Sequence, residues 1–154
     1  DLAVVTTPMS LKKPLEKIPL SKCKEILICG PKYSYLTDIA KSLKDLTEIP
    51  LISLSEGTGT YDLYNKFYIA HSVPFTPDME VATTDQIIPM ITHNLGIGFY
   101  PEDLATELIE DKKVFPINIE EKLPIREVCL VINKSSAMST SVQKFYNFLR
   151  NSVS

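Results

Sequence analysis

The sequence lacks several features on which common classes of protein depend. Its three cysteines, Cys23, Cys29 and Cys129, form an odd set without CxxC spacing, which argues against a disulfide scaffold and fits a reducing compartment. No apolar run is long enough to span a membrane. The formal net charge is −3, so the chain has no basic excess with which to bind nucleic acid. These absences leave a globular chain of 154 residues, enough for one domain or for two small lobes.

Recognisable arrangements of catalytic or metal-binding residues are also missing. The two histidines, His71 and His93, stand outside HExxH or Cys/His spacing, so we expect no metal site. Neither histidine has a visible serine or aspartate partner in a Gly-x-Ser-x-Gly motif. Because no nucleophile has a recognisable base, we expect no enzymatic activity. The loop at 55–60 lacks the Gly-Lys-Ser/Thr of a Walker A loop and the third glycine of a dinucleotide fingerprint. We therefore expect no cofactor.

The chain instead alternates apolar runs with helical patterns. Short apolar runs bounded by proline, glycine or threonine predict strands. These predicted strands are residues 2–5, 25–29, 51–54, 79–82, 96–100 and 128–132. Strands alternating with helices predict an α/β fold, with a mostly parallel sheet covered on both sides. If the strands at 25–29 and 128–132 pair antiparallel, the residues between them form one lobe and the chain ends belong to another.

Three local patterns complete the predicted elements. The stretch from Thr6 to Pro19, punctuated by proline and lysine, predicts a loop. Leu36, Ile39, Ala40 and Leu43 recur at helical spacing and predict a helix. Pro101 suits the first position of a helix, because its missing N–H would have no partner there.

The segment 55–60 is the first candidate binding site. Backbone N–H groups and hydroxyls of Ser55, Gly57, Thr58, Gly59 and Thr60 precede a predicted helix and could hold a carboxylate or a phosphate. The helix dipole would add about 0.3–1 kcal/mol for an anion at that end. The same residues also suit a simple strand-to-helix turn, with one of the threonines as the N-cap.

The segment Thr83-Thr84-Asp85-Gln86 offers a second polar helix start with the same two interpretations. One of the threonines or Asp85 must cap the helix, which leaves the other hydroxyl free for a ligand. We assign Asp85 to capping, because its charge would disfavour an anionic ligand. Gly96 and Gly98 permit close backbone approach, either to a ligand or in a tight turn into the next strand.

Taken in order, these pieces resemble the effector-binding domain of LysR-type bacterial transcriptional regulators. The resemblance runs along essentially the whole chain, and its most specific piece is the helix followed by Leu95-Gly-Ile-Gly-Phe-Tyr-Pro101. The other pieces that carry it are residues 1–5, 46–60, 80–83 and 124–131. The resemblance implies a type II periplasmic-binding-protein-like α/β fold, with two lobes joined by paired crossover strands and a small effector in the cleft.

The resemblance also implies a domain organisation. Lobe II would be complete at 28–130, and lobe I would be truncated to remnants at 1–27 and 131–154. The DNA-binding winged helix-turn-helix would be absent from this chain, which opens at Asp1 without a methionine and would be a fragment. We expect the lobe I remnant to leave apolar faces without their usual cover, and hence an altered oligomer or a borrowed surface.

By this resemblance the chain would be the ligand-sensing domain of a cytoplasmic regulator. A small, anionic metabolite would bind between the lobes. Its binding would change the geometry of a homo-oligomer, which would be a dimer or a tetramer in the full protein. DNA would be contacted only through the missing domain, and no membrane partner is expected. The segments 55–60 and 83–86 would line the effector site, and Thr7 would face the cleft from lobe I.

Two other functions fit parts of the sequence. An extracytoplasmic solute-binding protein of a transporter shares the two-lobe plan, but the odd cysteine set argues against it. An α/β enzyme of an amino-acid pathway is built on related lobes, but the sequence shows no acid–base or nucleophile set for it.

Two residue groups have both a functional and a structural interpretation. Cys29 and Cys129 lie on the two crossover strands that the resemblance implies and could be neighbours, either as inert buried thiols or as a redox switch like that of a peroxide-sensing member of the family. Four aromatic residues share one predicted helix, which either covers the sheet or, as in the family, forms an inter-subunit face. They are Tyr61, Tyr64, Phe67 and Tyr68.

Overall fold

The computed structural model describes residues 2–152, which contain eight strands and four α-helices. Their bounds are β1 (Leu2–Thr6), β2 (Leu15–Cys23), β3 (Glu25–Cys29), β4 (Leu51–Leu54), α1 (Gly59–Ala70), β5 (Met79–Val81), α2 (Ile87–Thr92), β6 (Ile97–Pro101), α3 (Glu102–Glu110), β7 (Phe115–Ile117), β8 (Arg126–Asn133) and α4 (Thr140–Ser152). Short 3-10 helices span Pro31–Thr37, Leu43–Leu46 and Thr84–Gln86. None of the helices within residues 2–152 combines the length and the apolar character that crossing a membrane requires.

The chain divides into two units. Unit 1 consists of Asp1–Cys23 and Ile125–Ser154, and unit 2 of Lys24–Pro124. Asp1, where the 1–27 assignment begins, lies outside the described residues, as do the last two residues of the 131–154 assignment. The assignment of these parts to lobes I and II stays a prediction.

Unit 1 contains a three-stranded antiparallel sheet in the order β1-β8-β2. The prediction of a loop up to Pro19 was wrong, because Leu15–Cys23 forms the nine-residue strand β2. Pro19 has no N–H to donate, but β2 is an edge strand, where proline is tolerated. The register of its pairing with β8 shifts between Pro19 and Ser21, and the pairing continues on both sides of this shift.

Unit 2 contains a five-stranded mixed sheet in the order β5-β4-β6-β3-β7. β4 runs parallel to β5 and to β6, whereas β3 runs antiparallel to β6 and to β7. The expectation of a mostly parallel sheet therefore holds for three strands only. The antiparallel pairing of 25–29 with 128–132, on which that division into lobes was conditional, does not form, because β3 pairs with β6 and β7 while β8 pairs with β1 and β2.

Apolar side chains cover both faces of the unit 2 sheet. Successive strand residues point to opposite faces, so β3 sends Leu27 to one hydrophobic cluster and Ile28 to the other. The first cluster contains Tyr64, Phe67 and Tyr68 of α1, and the second contains residues of α2 and α3.

The aromatic residues of α1 pack on the sheet. Tyr64 stacks on Phe99 of β6 with ring centroids 4.0 Å apart, and its hydroxyl donates to the buried carboxylate of Glu25. Tyr61 packs edge-on against Phe75 at 5.1 Å. These contacts support the interpretation that α1 covers the sheet, and its role as an inter-subunit face stays a prediction.

Two of the predicted helical details were wrong. Residues 36–43 do not form one helix, because 3-10 helices end at Thr37 and begin again at Leu43, and Ile39 between them is 66% exposed. Ser42 and Asp45 form a capping box at the second of these helices, which explains why the pattern restarts there. Pro101 ends β6 and caps α3 instead of being its first helical residue.

Gly96 generates the first testable prediction, since it lies where β6 begins beside β4. A Cβ built on Gly96 would lie 2.3 Å from the backbone oxygen of Pro50, which cannot move without parting the two strands. We expect Gly96→Ala to lower the free energy of unfolding by about 1–3 kcal/mol, as measured by urea denaturation.

Gly98→Ala is the matched control, because its Cβ would meet the Ile52 oxygen at 3.1 Å and the Ile87 Cγ2 atom at 3.2 Å, where small shifts suffice. Equal unfolding midpoints for Gly96→Ala and the unmodified protein would contradict the close approach of Gly96 to Pro50.

Candidate functional site

The loop between β4 and α1 is held by its own polar side chains. Thr58 is the N-cap of α1: its hydroxyl accepts from the N–H of Tyr61 at 3.1 Å and donates to the carbonyl of Ser55 at 2.8 Å. Both the N–H and the hydroxyl of Ser55 donate to the carbonyl of Val81, at 3.0 and 3.2 Å. Gly57 turns the chain with φ +87°, a conformation that favours glycine. Of the two threonines considered as cap, Thr58 performs that role.

The first turn of α1 leaves backbone donors available to a ligand. Gly59 is the first residue of the helix, where an N–H has no partner within the helix. In the described part of the chain, no hydrogen bond engages the N–H of Gly57 or of Gly59. Thr60, the next residue, is half-buried. The loop therefore presents N–H groups at the positive end of a helix of 12 residues.

A second polar segment leaves the sheet beside this loop. Parallel pairing of Leu54 with Val81 brings the carboxyl ends of β4 and β5 to the same edge. The N–H of Glu56 then donates to the Glu80 carboxylate at 3.3 Å, which links the first loop to β5. The sheet thus brings residues 55–60 together with Thr83 and Thr84, and the carboxyl edge of parallel strands is where α/β folds bind ligands.

Thr83 is the N-cap of the 3-10 helix Thr84–Gln86, and Gln86 completes its capping box, which corrects the assignment of capping to Asp85. The Gln86 side-chain oxygen accepts from the N–H groups of Ala82 at 2.9 Å and Thr83 at 3.2 Å. Asp85 is exposed, and its charge adds to burial in raising the pKa of Tyr100. Thr84 is half-buried, and no hydrogen bond to its hydroxyl forms among residues 2–152. The Thr-x-x-Gln spacing is a capping-box signature that was present in the sequence.

The electrostatics of this edge come from backbone dipoles and carboxylates. No Lys or Arg occurs between residues 51 and 65 or between residues 77 and 111, whereas Glu56, Glu80 and Asp85 all belong to the edge. An anionic group would therefore bind to N–H groups and hydroxyls without a neutralising Lys or Arg from these two segments. Glu80 is the site residue that sequence reasoning missed; its signal was a charged residue inside a predicted strand.

Gly96 and Gly98 serve the packing of the sheet. Gly96 precedes β6, and Leu51 at the start of β4 pairs with Ile97, so Gly96 lies at the amino edge, opposite the two loops. Gly98 pairs with Ile52 inside the sheet. The structure does not bring either glycine together with residues 55–60, and both are buried.

Thr7 belongs to unit 1, where it continues the pairing of β1 with β8. Its N–H donates to the Glu127 carbonyl at 2.9 Å, and its hydroxyl accepts from the Glu127 N–H at 2.8 Å. Its carbonyl accepts from Nε of the buried Arg126 at 2.5 Å. The hydroxyl of Thr7 keeps its own proton for donation, and its contact with an effector stays a prediction.

The structure offers no support for metal chemistry or for a cysteine pair. Within residues 2–152, no three His, Cys, Asp or Glu side chains come together in a way that could hold a metal ion. Cys29 and Cys129 lie in different sheets, each fully buried. The Cys29 thiol donates to the carbonyl of Tyr33 at 3.4 Å, and burial raises its pKa from 9.0 to about 11. A thiol held protonated in this way is a poor nucleophile, which favours the inert interpretation.

The raised pKa of Cys29 generates a prediction on stability at alkaline pH. Between pH 9 and 11 the unfolded chain loses the Cys29 proton while the folded chain keeps it, so rising pH favours unfolding. Relative to its Cys29→Ala variant, the unmodified protein should lose up to about 2–3 kcal/mol of unfolding free energy across this window. Urea titrations of both proteins at pH 8, 9, 10 and 11 measure the difference.

The comparison with Cys29→Ala cancels the titration of lysines and tyrosines, which the two proteins share. A constant difference in unfolding free energy from pH 8 to 11 would show that the thiol titrates alike in the folded and unfolded states.

Comparisons with known proteins agree with this geometry. The family model described as LysR substrate binding domain matches residues 1–154. No curated protein matches the sequence.

Solved structures share the fold at low sequence identity. The regulatory domain of CcmR from Synechocystis PCC6803 in complex with 2-PG has 17% identity and a TM-score of 0.82, covering 99% of this chain and 73% of that chain. The effector binding domain of QuiR in complex with shikimate has 17% identity and a TM-score of 0.83, with 99% and 71% covered. The regulatory domain of a mutant of MetR, a LysR family regulator from N. meningitidis, has 19% identity and a TM-score of 0.74, with 98% and 71% covered.

Proposed function

Because this chain belongs to the family of LysR substrate binding domains, we propose that it senses a small carboxylate metabolite at the carboxyl edge of β4 and β5. Members of the family are the effector-binding domains of transcriptional regulators. The family match favours this function over a transporter component and over an amino-acid-pathway enzyme.

The observation that carries the proposal is a pair of backbone N–H groups, one in the loop before α1 and one at its first residue. The N–H groups of Gly57 and Gly59 have no partner among the described residues, and the helix dipole favours an anion beside them. The Thr84 hydroxyl, at the neighbouring segment, supplies a further donor. A carboxylate bound there would receive charge-assisted hydrogen bonds, each worth about 1.5–3 kcal/mol.

The charges at the edge favour a ligand with a single carboxylate and several hydroxyl groups. Glu56, Glu80 and Asp85 contribute three carboxylates, and no Lys or Arg of these segments offsets them. A ligand with two or more negative charges would meet this repulsion, whereas hydroxyl groups can donate to the same carboxylates. The QuiR domain, whose structure holds shikimate, a hydroxylated carboxylate, has this fold and supports the same ligand class.

The effector would act by shifting the equilibrium between two arrangements of the protein. The effector itself would not be chemically changed. The edge offers N–H groups and hydroxyls, which hold a ligand without activating it, so we propose binding without chemistry. Differential affinity for two arrangements would then change the geometry of a homo-oligomer. Contact with DNA through a separate domain would transmit that change, and such a regulator would work in the cytoplasm.

Gly59→Pro tests the role of the helix N–H directly. Proline suits the first position of a helix, and Thr58 before it has the extended conformation that proline requires, with φ −87° and ψ 148°. The substitution therefore deletes one N–H and keeps the helix. Calorimetric titration of the complete regulator with shikimate, or with the best binder from a set of hydroxylated carboxylates, should show roughly ten- to hundredfold weaker binding.

Gly59→Ala is the matched control, because it changes the side chain and retains the N–H. Affinity should survive in Gly59→Ala and fall in Gly59→Pro. If the two variants bind the carboxylate equally well, the anion does not lie at the start of α1.

Thr84→Val tests the neighbouring segment. Valine keeps the shape of threonine and removes only the hydroxyl, whose loss should weaken binding of the same carboxylate by about 0.5–1.5 kcal/mol. Circular dichroism and the urea midpoint should stay unchanged, because the Gln86 cap does not use this hydroxyl. Thr84→Ser restores a hydroxyl and should restore affinity; unchanged affinity in Thr84→Val would remove Thr84 from the site.

A further inference from the structure

The outer side of β1 is an unpaired edge of the sheet in unit 1. In the order β1-β8-β2, β8 is the central strand, and β1 and β2 are the two edges. Among the described residues, β1 pairs with β8 alone. An edge strand presents a row of unpaired N–H and C=O groups, with which another strand can pair. The sheet can therefore be extended on this side.

The hydrogen-bond pattern identifies the backbone groups of β1 that face outward. The N–H of Thr7 donates to the carbonyl of Glu127, which continues the register of β1 on β8. The direction of these groups alternates along an antiparallel strand, so Ala3 and Val5 also direct theirs toward β8. The N–H and C=O groups of the other three residues then point away from β8; these residues are Leu2, Val4 and Thr6.

The pairing on the other side of β8 has a matching phase. The N–H of Lys134 donates to the carbonyl of Pro14, so even-numbered residues along β8 direct their backbone groups toward β2. Odd-numbered residues then face β1, in agreement with the hydrogen bond to the Glu127 carbonyl. Pro19 lies opposite Cys129, an odd-numbered residue, so the missing N–H of Pro19 belongs to the outer edge of β2.

The two edges of this sheet differ in chemistry. Lys17 and Pro19 both direct their backbone groups to the outer edge of β2, and a cation and a missing donor protect an edge against further pairing. β1 has neither device: its sequence is Leu-Ala-Val-Val-Thr, and Val4 at its centre is 49% exposed. The contrast indicates that β2 stays an edge, whereas β1 is suited to a further strand.

A second copy of β1 fits this edge. Antiparallel pairing about a two-fold axis at Val4 places Val4 opposite Val4 of the other copy, and Leu2 opposite Thr6. Each of these pairs exchanges two hydrogen bonds, because the outward groups of both strands meet. No like charges come together, since the five residues of β1 are all uncharged. The outer edge of β2 fits less well, because it lacks one donor and carries a cation.

We propose that two copies of this chain associate through their β1 strands, which joins two three-stranded sheets into one continuous sheet. The shared edge is short, with five residues from each copy, so the dimer should be weak, with a Kd of about 10–100 μM. The interface belongs to unit 1 alone and does not depend on the effector proposed for unit 2.

Sedimentation velocity and amide hydrogen exchange test the dimer and locate its interface. The 154-residue chain should pass from monomer to dimer between about 1 μM and about 1 mM. At the higher concentration the N–H groups of Leu2, Val4 and Thr6 should exchange several-fold more slowly. The N–H groups of Ala3 and Val5 are the internal control and should change far less, because they already bond to β8.

Val4→Pro removes the outward N–H at the centre of β1 and no hydrogen bond to β8. Because proline is tolerated on an edge strand, the pairing of β1 with β8 should persist while the dimer weakens at least tenfold. Val4→Thr is the matched control, since it keeps both the N–H and the branched Cβ. This variant should dimerise like the unmodified chain.

A pair of charged variants keeps the proposal testable if Val4→Pro fails to fold. Val4→Lys and Val4→Glu each bring like charges together at the two-fold axis, so each alone should stay monomeric up to about 1 mM. An equal mixture brings an ammonium opposite a carboxylate and should dimerise again. Neither long side chain has to enter a core, because Val4 is 49% exposed.

Three results would overturn the proposal. One is an unmodified chain that stays monomeric up to about 1 mM. Another is a dimer in which the amides of Leu2, Val4 and Thr6 exchange as fast as in the monomer. The third is an unmodified chain that dimerises while the mixture of charged variants does not. None of these results bears on the effector site, whose tests use carboxylates and Gly59.

Discussion

The parallel pairing of β4 with both β5 and β6 determines where the polar segments of unit 2 lie. β4 has only four residues, and each is buried. The strand therefore connects the amino edge of the sheet to its carboxyl edge. At its carboxyl end, pairing with β5 brings residues 55–60 beside residues 82–86. At its amino end, Asp78 and Leu51 exchange two hydrogen bonds, which fix the start of the strand. Gly96 permits this arrangement, because any Cβ there would strike the Pro50 oxygen.

The balance of forces at the carboxyl edge decides what kind of ligand fits. Exposed charges such as Glu56 and Asp85 are screened over about 8 Å at physiological ionic strength, so each contributes a modest repulsion. A hydrogen bond from an N–H to a bound carboxylate is worth about 1.5–3 kcal/mol, and two or more of them outweigh that repulsion for a single anionic group. Each additional negative charge adds repulsion without adding donors. The edge therefore favours few charges and many hydroxyl groups.

Helix caps could be predicted from the sequence, because they depend on neighbouring residues, whereas the pairing of distant strands could not. Thr58 could be recognised as one of two caps because capping depends on neighbours within three residues. The Thr83-x-x-Gln86 box was equally local and was overlooked in favour of Asp85. β2 was missed because Pro19 within it and the prolines before it are typical of a loop, and only a partner more than 100 residues away makes it a strand. The pairing of β3 with β6 and β7 follows from sheet order, which apolar alternation cannot encode.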